Sequence, residues 1–328
     1  MTALTLQDYA HKPAPLVAGV AKILQEESKF MDVLPFEDVG TLSVEVLREG
    51  ALPSTIAWRG IGEDHGSYRA SNPAPIVERA FSFGNTIEID KALVKDKAKK
   101  LYDPRVYQTE MITKAMAREF NDAAINGTGT DLNRPVGLKA RIANDLTDRL
   151  IFGNTSSSSL DLSADATSRS ANIAQFFDRL DTLIYMCAGH KADYILCNDT
   201  FMLTYWSIAR ASGLLKLTTD ALGREFVEYK GAKFLDMGFK LDDSTRIMTN
   251  TEVVAGTADT GSTCSSIIAV RLGKEYFTGW QEYDLEVLQK GYKDSEDGVT
   301  EKVIIDWVVG LALSHPRSVA RMAGLQLT

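Results

Sequence analysis

Few residues of this chain could do chemistry, and their spacing decides most cases. Gly127-Thr128-Gly129-Thr130 invites a phosphate-loop reading. Such a loop needs Gly-Lys-Ser/Thr opening a helix, so that backbone N–H groups and the positive helix end face the anion. Here the glycines close a helix, where the dipole is negative, and a turn is the stronger reading. Asp294, Glu296 and Asp297 before Gly298, with Glu301 beyond, have the composition of a calcium loop. They lack the alternating ligands and the twelfth-position glutamate, so a hairpin turn is the stronger reading. The histidines His11, His65, His190 and His315 have no paired spacing on a helix, which gives no zinc pattern. No Gly-x-Ser-x-Gly elbow occurs. Cys197 ends an apolar strand, where a structural thiol is the stronger reading. Tyr205 and Trp206 could stack on a ligand, but on a helix they belong more often to a core or interface. Lys91, Lys95, Lys97, Lys99 and Lys100 read as a solvated connector rather than a nucleic-acid patch. We therefore assign no catalytic residue, no cofactor, no metal site and no enzymatic activity.

Composition narrows the class. The chain has 328 residues, 45% apolar and 24% charged, an ordinary globular balance with room for a large core. The net charge of −8 argues against a general nucleic-acid binder, which carries a basic face to displace counterions. It is compatible with a wall that encloses DNA without gripping it. Cys187, Cys197 and Cys264 are odd in number and form no C-x-x-C pair, which fits free thiols in a reducing compartment. No apolar run is long enough for a bilayer and residues 1–15 lack a signal-peptide pattern, so a cytoplasmic protein is expected.

The elements follow from periodicity. Residues 1–38 read as an arm with one amphipathic helix, Val20, Ile23, Leu24 and Phe30 lying toward one side. That helix must lie on the body or on a neighbouring subunit. Alternation at Leu42, Val44 and Val46, and again through Val77, Phe81, Phe83, Ile87 and Ile89, predicts two strands joined by a Gly/Pro-rich tip. Residues 103–126 predict a helix about 35 Å long at 1.5 Å per residue. Asp103 is its expected N-cap, Pro104 its first residue and Gly127 its stop. Ile112, Met116, Phe120 and Ala124 form its apolar stripe. A serine loop at 156–159 precedes a helix over 170–188, a strand over 193–198 and a helix over 200–211 capped by Asp199. Short strands are expected at 232–237, 246–249 and 266–271. Residues 283–292 and 300–312 form a long antiparallel hairpin, with Val303, Ile305, Trp307, Val309 and Leu311 on one face.

This order resembles the Hong Kong 97-type (HK97-like) fold of tailed-phage major capsid proteins. Two stretches carry the local resemblance. One is Phe120-Asn121-Asp122-Ala123-Ala124-Ile125-Asn126-Gly127 leading to Pro135-Val136-Gly137-Leu138, which the resemblance implies to be a strand start. The other is residues 307–313 followed by His315-Pro316-Arg317. The resemblance implies an α+β chain with an N-terminal arm at 1–38 and an extended loop, a β-hairpin, at 39–86. It implies a peripheral domain at 87–140 and 280–312 containing the long spine helix, and an axial α/β domain at 141–279 and 313–328. It further implies self-assembly into hexameric and pentameric capsomers of an icosahedral shell around double-stranded DNA, with no sequence-specific binding and no membrane. The partners implied are a separate scaffolding protein, a portal and decoration proteins. The expected location is the virion, after assembly in the host bacterial cytoplasm.

Two alternatives stand beside this reading. One is an encapsulin-type cellular nanocompartment shell. The other is a soluble α/β ligand-binding protein or hydrolase using residues 193–199 at a strand end. Some HK97-like shells crosslink through a lysine on the extended loop. Between Leu42 and Phe83 this chain has arginines but no lysine. Mature particles are therefore expected to run as single chains on a denaturing gel, and covalent ladders would contradict this.

Overall fold

The computed structural model describes residues 15–47, 58–63, 75–90, 92, 104–154, 159–163, 168–213, 216–219, 225–252, 264–291 and 298–327. The arm before residue 15, most of the Gly/Pro-rich tip, Asp103, the serine loop at 156–159 except Ser159, most of the lysine-rich connector and the turn at 292–297 lie outside them. The chain enters through helix α1 (Pro15–Glu27) and the short α2 (Lys29–Val33). Val20, Ala21 and Leu24 of α1 are buried, and α1 packs along the spine helix described next. The arm helix therefore lies on its own body. Ser28 caps α2, its hydroxyl accepting from Met31 N–H at 3.0 Å and donating to Asn121 Oδ1 at 2.7 Å. Strands β1 (Phe36–Asp38), β2 (Ser43–Leu47) and β3 (Pro75–Asp90) follow.

The spine helix α3 (Pro104–Asn126) has 23 residues. Met116, Phe120 and Ala124 of its predicted stripe are buried and Ile112 packs at the stripe's edge. The Glu110–Lys114 pair closes at 2.8 Å on the outer face. Gly127 ends the helix for a reason other than left-handed backbone. A Cβ there would lie 2.1 Å from Pro135 O, and one on Gly137 would lie 2.5 Å from Gly127 N. The two glycines let the chain fold back on itself, Gly137 N–H bonding Gly127 O at 2.8 Å. After the fold-back comes helix α4 (Leu138–Asn144), so the strand start expected at Pro135–Leu138 is a helix N-terminus with Gly137 at its cap.

Strands β4 (Leu150–Phe152) and β5 (Leu160–Asp161) lead into helix α5 (Arg169–Met186), strand β6 (Tyr194–Cys197) and helix α6 (Asp199–Ala211). The cap of α6 is Asn198, whose side chain accepts from Phe201 N–H at 2.8 Å, and Asp199 is already helical. Strands β7 (Lys216–Thr219), β8 (Glu225–Tyr229), β9 (Ala232–Asp236) and β10 (Ser265–Val270) continue the chain. The strand expected at 246–249 reduces to one isolated bridge, Arg246 with Phe239. The final hairpin pairs β11 (Phe277–Lys290) with β12 (Thr300–Leu313), and β13 (Val319–Gln326) ends the described chain.

Two sheets result. The first has the order β1-β11-β12-β3-β2, so the expected two-stranded hairpin is one edge of a larger sheet that β3 enters without a break. The second runs β4-β13-β10-β6-β9-β8-β7, with β5 also on β13. In its middle both faces are buried, which explains runs without polar alternation. Ile195, Phe234, Ile267 and Ala269 pack toward α5 and α6. Leu196, Leu235, Ile268 and Val270 pack toward the spine. That second core is shared with the first sheet, and an aromatic cluster sits within it. Phe36 lies 4.9 Å from Trp307 and 6.2 Å from Phe120, centroid to centroid, and Trp307 Nε1 donates to Gln281 Oε1 at 2.8 Å. Replacing this indole removes the largest apolar body between strand, helix and arm. Trp307→Ala is expected to cost about 3–5 kcal/mol in denaturant unfolding of the purified chain. A loss near zero would mean that the cluster repacks freely.

Candidate functional site

Several of the described candidates for chemistry have structural roles, while His11, His65, Asp294, Glu296 and Asp297 lie outside the described residues. Gly127 and Gly129 make the fold-back, Cys197 is buried with its thiol pushed well up by burial, and Tyr205 is buried in the α5–α6 core. His190 stacks on Tyr185 at 3.6 Å, and its Nδ1 donates to Tyr185 O at the end of α5. The carboxyl ends of the parallel strands β6 and β9 are where an α/β protein would hold a ligand. Here protein groups fill that place. Asn198 Nδ2 donates to Met248 O at 2.8 Å and Ser265 Oγ at 3.1 Å, and Arg246 Nη2 holds Asp199 at 3.1 Å. Among the described residues no group of three or more His, Cys, Asp or Glu could hold a metal, and no helix is long and apolar enough to cross a membrane.

The polar groups that matter are clamps between segments. Arg141 on α4 and Glu78 on β3 form a buried ion pair, their side chains only 4% and 8% exposed. Arg141 Nη1 also bonds Glu78, and its Nη2 reaches Glu78 Oε2 at 2.8 Å. The same guanidinium donates to Leu311 O at 3.1 Å and to Val136 O at 2.9 Å. One side chain thus fixes the hairpin base, the last sheet strand and the fold-back loop together. The glycine pair at 127 and 137 makes this possible by turning α4 back toward the sheet. Neither Arg141 nor Glu78 was singled out in the sequence. The readable signal was Glu78 itself, which alternation puts on one strand face with Ile76 and Ala80.

A second clamp holds the fold-back loop to the spine. Asp122 accepts from Arg134 Nη2 at 2.6 Å and Asn126 Nδ2 at 2.6 Å, with Lys240 Nζ at 3.2 Å. Burial pushes the Asp122 carboxyl up, but these donors outweigh it and hold it below its ordinary value. Glu119 beside it is held above its ordinary value by burial. A third clamp joins α4 to the second sheet. Glu252 pairs with Lys139 and with Arg321 Nη2 at 2.7 Å. Burial lowers Lys139, whereas the two cations overcome burial and lower Glu252. Arg118 on the spine ties α1 through Glu27 at 2.8 Å and the 238–247 loop through Asp243 at 2.6 Å.

The unclamped surface is the other half of the site. Residues 58–63 form a turn whose Gly60 N–H bonds Glu63 Oε2 at 3.0 Å and whose Arg59 Nη1 bonds Glu63 O at 2.7 Å. On it Trp58 and Ile61 are fully exposed. Leu203 and Trp206 are exposed one turn apart on α6. Large apolar side chains held in water call for a partner surface when they are clustered.

No family model matches the sequence, and no curated protein matches it. Solved structures do resemble its fold. The holo-SrpI encapsulin complex of Synechococcus elongatus PCC 7942 matches with a TM-score of 0.58 at 12% identity, covering 90% of this chain and 86% of that one. The structure of Mycobacterium phage Bobi matches at 0.52 and 13% identity, covering 92% and 89%. The capsid of the native GTA particle matches at 0.51 and 17% identity, covering 88% and 86%. The chain has the HK97-like fold, α+β, over nearly its whole length.

Removing one member of the buried pair strands the other in a dry site. Arg141→Met is expected to cost about 3–5 kcal/mol, and Arg141→Met with Glu78→Leu to recover most of that. Chemical denaturation of the two variants checks this. A double variant as unstable as the single one would show that the guanidinium's carbonyl contacts dominate.

Proposed function

We propose that this chain is the major capsid protein of a tailed double-stranded DNA bacteriophage. In that role it closes into an icosahedral shell of hexamers and pentamers. The observation that carries the reading is the HK97-like fold over about 90% of the chain, shared with structures whose names are those of capsids and an encapsulin. The preformed turn with Trp58 and Ile61 in water supports it, because large apolar side chains held in water suit a partner surface. The closed α/β ligand position around Asn198 weighs against an enzyme or small-ligand binder. The net charge of −8 suits a wall that contains DNA without adhering to it.

In this reading the arm is 1–38 and the extended loop 39–86. The peripheral domain is 87–140 with 280–312, and the axial domain is 141–279 with 313–328. Its partners are other copies of itself, a separate scaffolding protein, a portal and decoration proteins, and its place is the virion. Assembly is driven by apolar burial over many weak repeated contacts. The likeness to the SrpI encapsulin favours a second reading, a nanocompartment shell around a protein cargo. Content separates the two: packaged DNA or scaffold marks the capsid, and a copurified enzyme marks the compartment.

Negative-stain electron microscopy of the expressed chain, alone and with a scaffold candidate, is expected to show shells, tubes or hexameric rings. Trp58→Ala with Ile61→Ser is expected to reduce assembly severalfold without moving the denaturation midpoint of the free subunit. A uniform small oligomer that never polymerises would overturn the shell reading.

A further inference from the structure

Strand β3 is paired on both sides for only part of its length. β12 runs along one side from Ala80 to Asp90. β2 runs along the other only from Pro75 to Arg79, followed by one bond from Ala80 N–H to Leu42 O at 2.9 Å. Among the described residues nothing pairs with this second side beyond Ala80. In a strand the N–H and C=O of one residue point the same way, and successive residues alternate. The Ala80 bond therefore sets the direction. Ser82, Gly84, Thr86, Glu88 and Asp90 turn their main-chain groups to the open side, and all five are exposed. Thr86 N–H bears this out, since it bonds the side chain of Asn85 at 2.8 Å instead of a strand. The open edge is about 30 Å long at 3.4 Å per residue, a template for another strand.

We propose that this edge binds a second copy of the chain through that copy's own β3, antiparallel, across a two-fold axis at Thr86. The proposal rests on the shell reading above and names one of its contacts. The first argument is charge. Centring on Thr86 sets Glu88 opposite Gly84 of the second copy and Asp90 opposite Ser82 of the second copy. The two Glu88 residues then stand about 14 Å apart along the strands, beyond the screening length of about 8 Å at physiological salt. Each is also paired within its own chain to Lys302 at 2.7 Å. The second argument is sidedness. Phe83, Ile87 and Ile89 face the spine core while Ser82, Thr86 and Glu88 face away. An antiparallel pair about an axis normal to the sheet keeps these faces matched. The sheet then continues from one copy to the next with both spine helices on one side, as a wall with an inside and an outside requires. About ten main-chain bonds would form, two for each of five facing pairs. Asn85 is exposed, so its side chain is free to swing off Thr86 N–H.

Thr86→Cys tests the axis directly. The native cysteines are all buried, and facing residues in such a pair lie about 5.5 Å apart, within disulfide reach. Oxidised particles of this variant are expected to run mainly as dimers on a non-reducing denaturing gel. Lys290→Cys, on the far edge of the same sheet, is expected to stay monomeric. Thr86→Pro, which removes a central outward donor, is expected to abolish shells while the free subunit keeps its circular dichroism. Shells in which Thr86→Cys stays monomeric, or in which both cysteines crosslink equally, would overturn the edge pairing and leave the shell reading intact. A wild-type chain that never assembles would overturn both. Should Thr86→Pro fail to fold, the cysteine pair still decides.

Discussion

The structure hinges on one guanidinium that cannot reach water. Arg141 touches β3, β12 and the fold-back loop at once. Burying an ion pair is costly, and apolar residues of the same volume often serve stability as well. What the pair adds is position. A carboxylate in the middle of a strand has one acceptable place here, against Arg141. The register of β3 on β12 is fixed with it, since a slip by one residue would turn Glu78 to the opposite face. The hairpin base is therefore held in one position. The glycines at 127 and 137 are part of the same constraint, because side chains there would push α4 and its arginine away from the sheet.

Around that fixed point the two sheets are not independent units. One apolar core takes the spine helix, the arm helix, the first sheet and one face of the second. Relative motion of the sheets would have to shear interdigitated side chains, which close packing resists. At the rim the joints are polar: Lys139 and Arg321 on Glu252, Arg118 on Asp243, Lys240 on Asp122. Such contacts re-form after small rotations more readily than packed aromatics do. Under the proposed shell reading, a stiff centre with adjustable rims suits a subunit placed in slightly different surroundings.

Much of this was legible in sequence because it rests on periodicity. The four-residue stripe of the spine, the alternation through 76–89 and the face at 303–311 are each a long pattern whose burial follows from one period. Three kinds of feature were not legible. Caps turn on which of two neighbouring polar residues reaches back, and Asn198 rather than Asp199 does so. The Pro135–Leu138 turn was expected to start a strand, and only the close approach of Gly137 to Gly127 shows that it opens a helix. Strand β13 lay hidden in a tail whose alternation fails, because both of its faces are buried. The Arg141–Glu78 pair combines a polar residue on a buried strand face with an arginine 63 positions away, and no local pattern links the two.

On the proposed shell reading, the surface of this chain has to meet other copies without aggregating. Its exposed main chain lies along an edge whose outward side chains are Ser, Thr, Glu and Asp, so stray apolar strands find little there. Among the described residues, its most exposed large apolar side chains, Trp58 and Ile61, sit on a turn held closed by Glu63. Neither feature alone would hold two copies together. The edge offers direction without hydrophobic drive, and the tip offers drive on a small area. Contacts of both kinds, each weak, give association only when several form in one geometry. A closed symmetric assembly multiplies them while a random encounter does not.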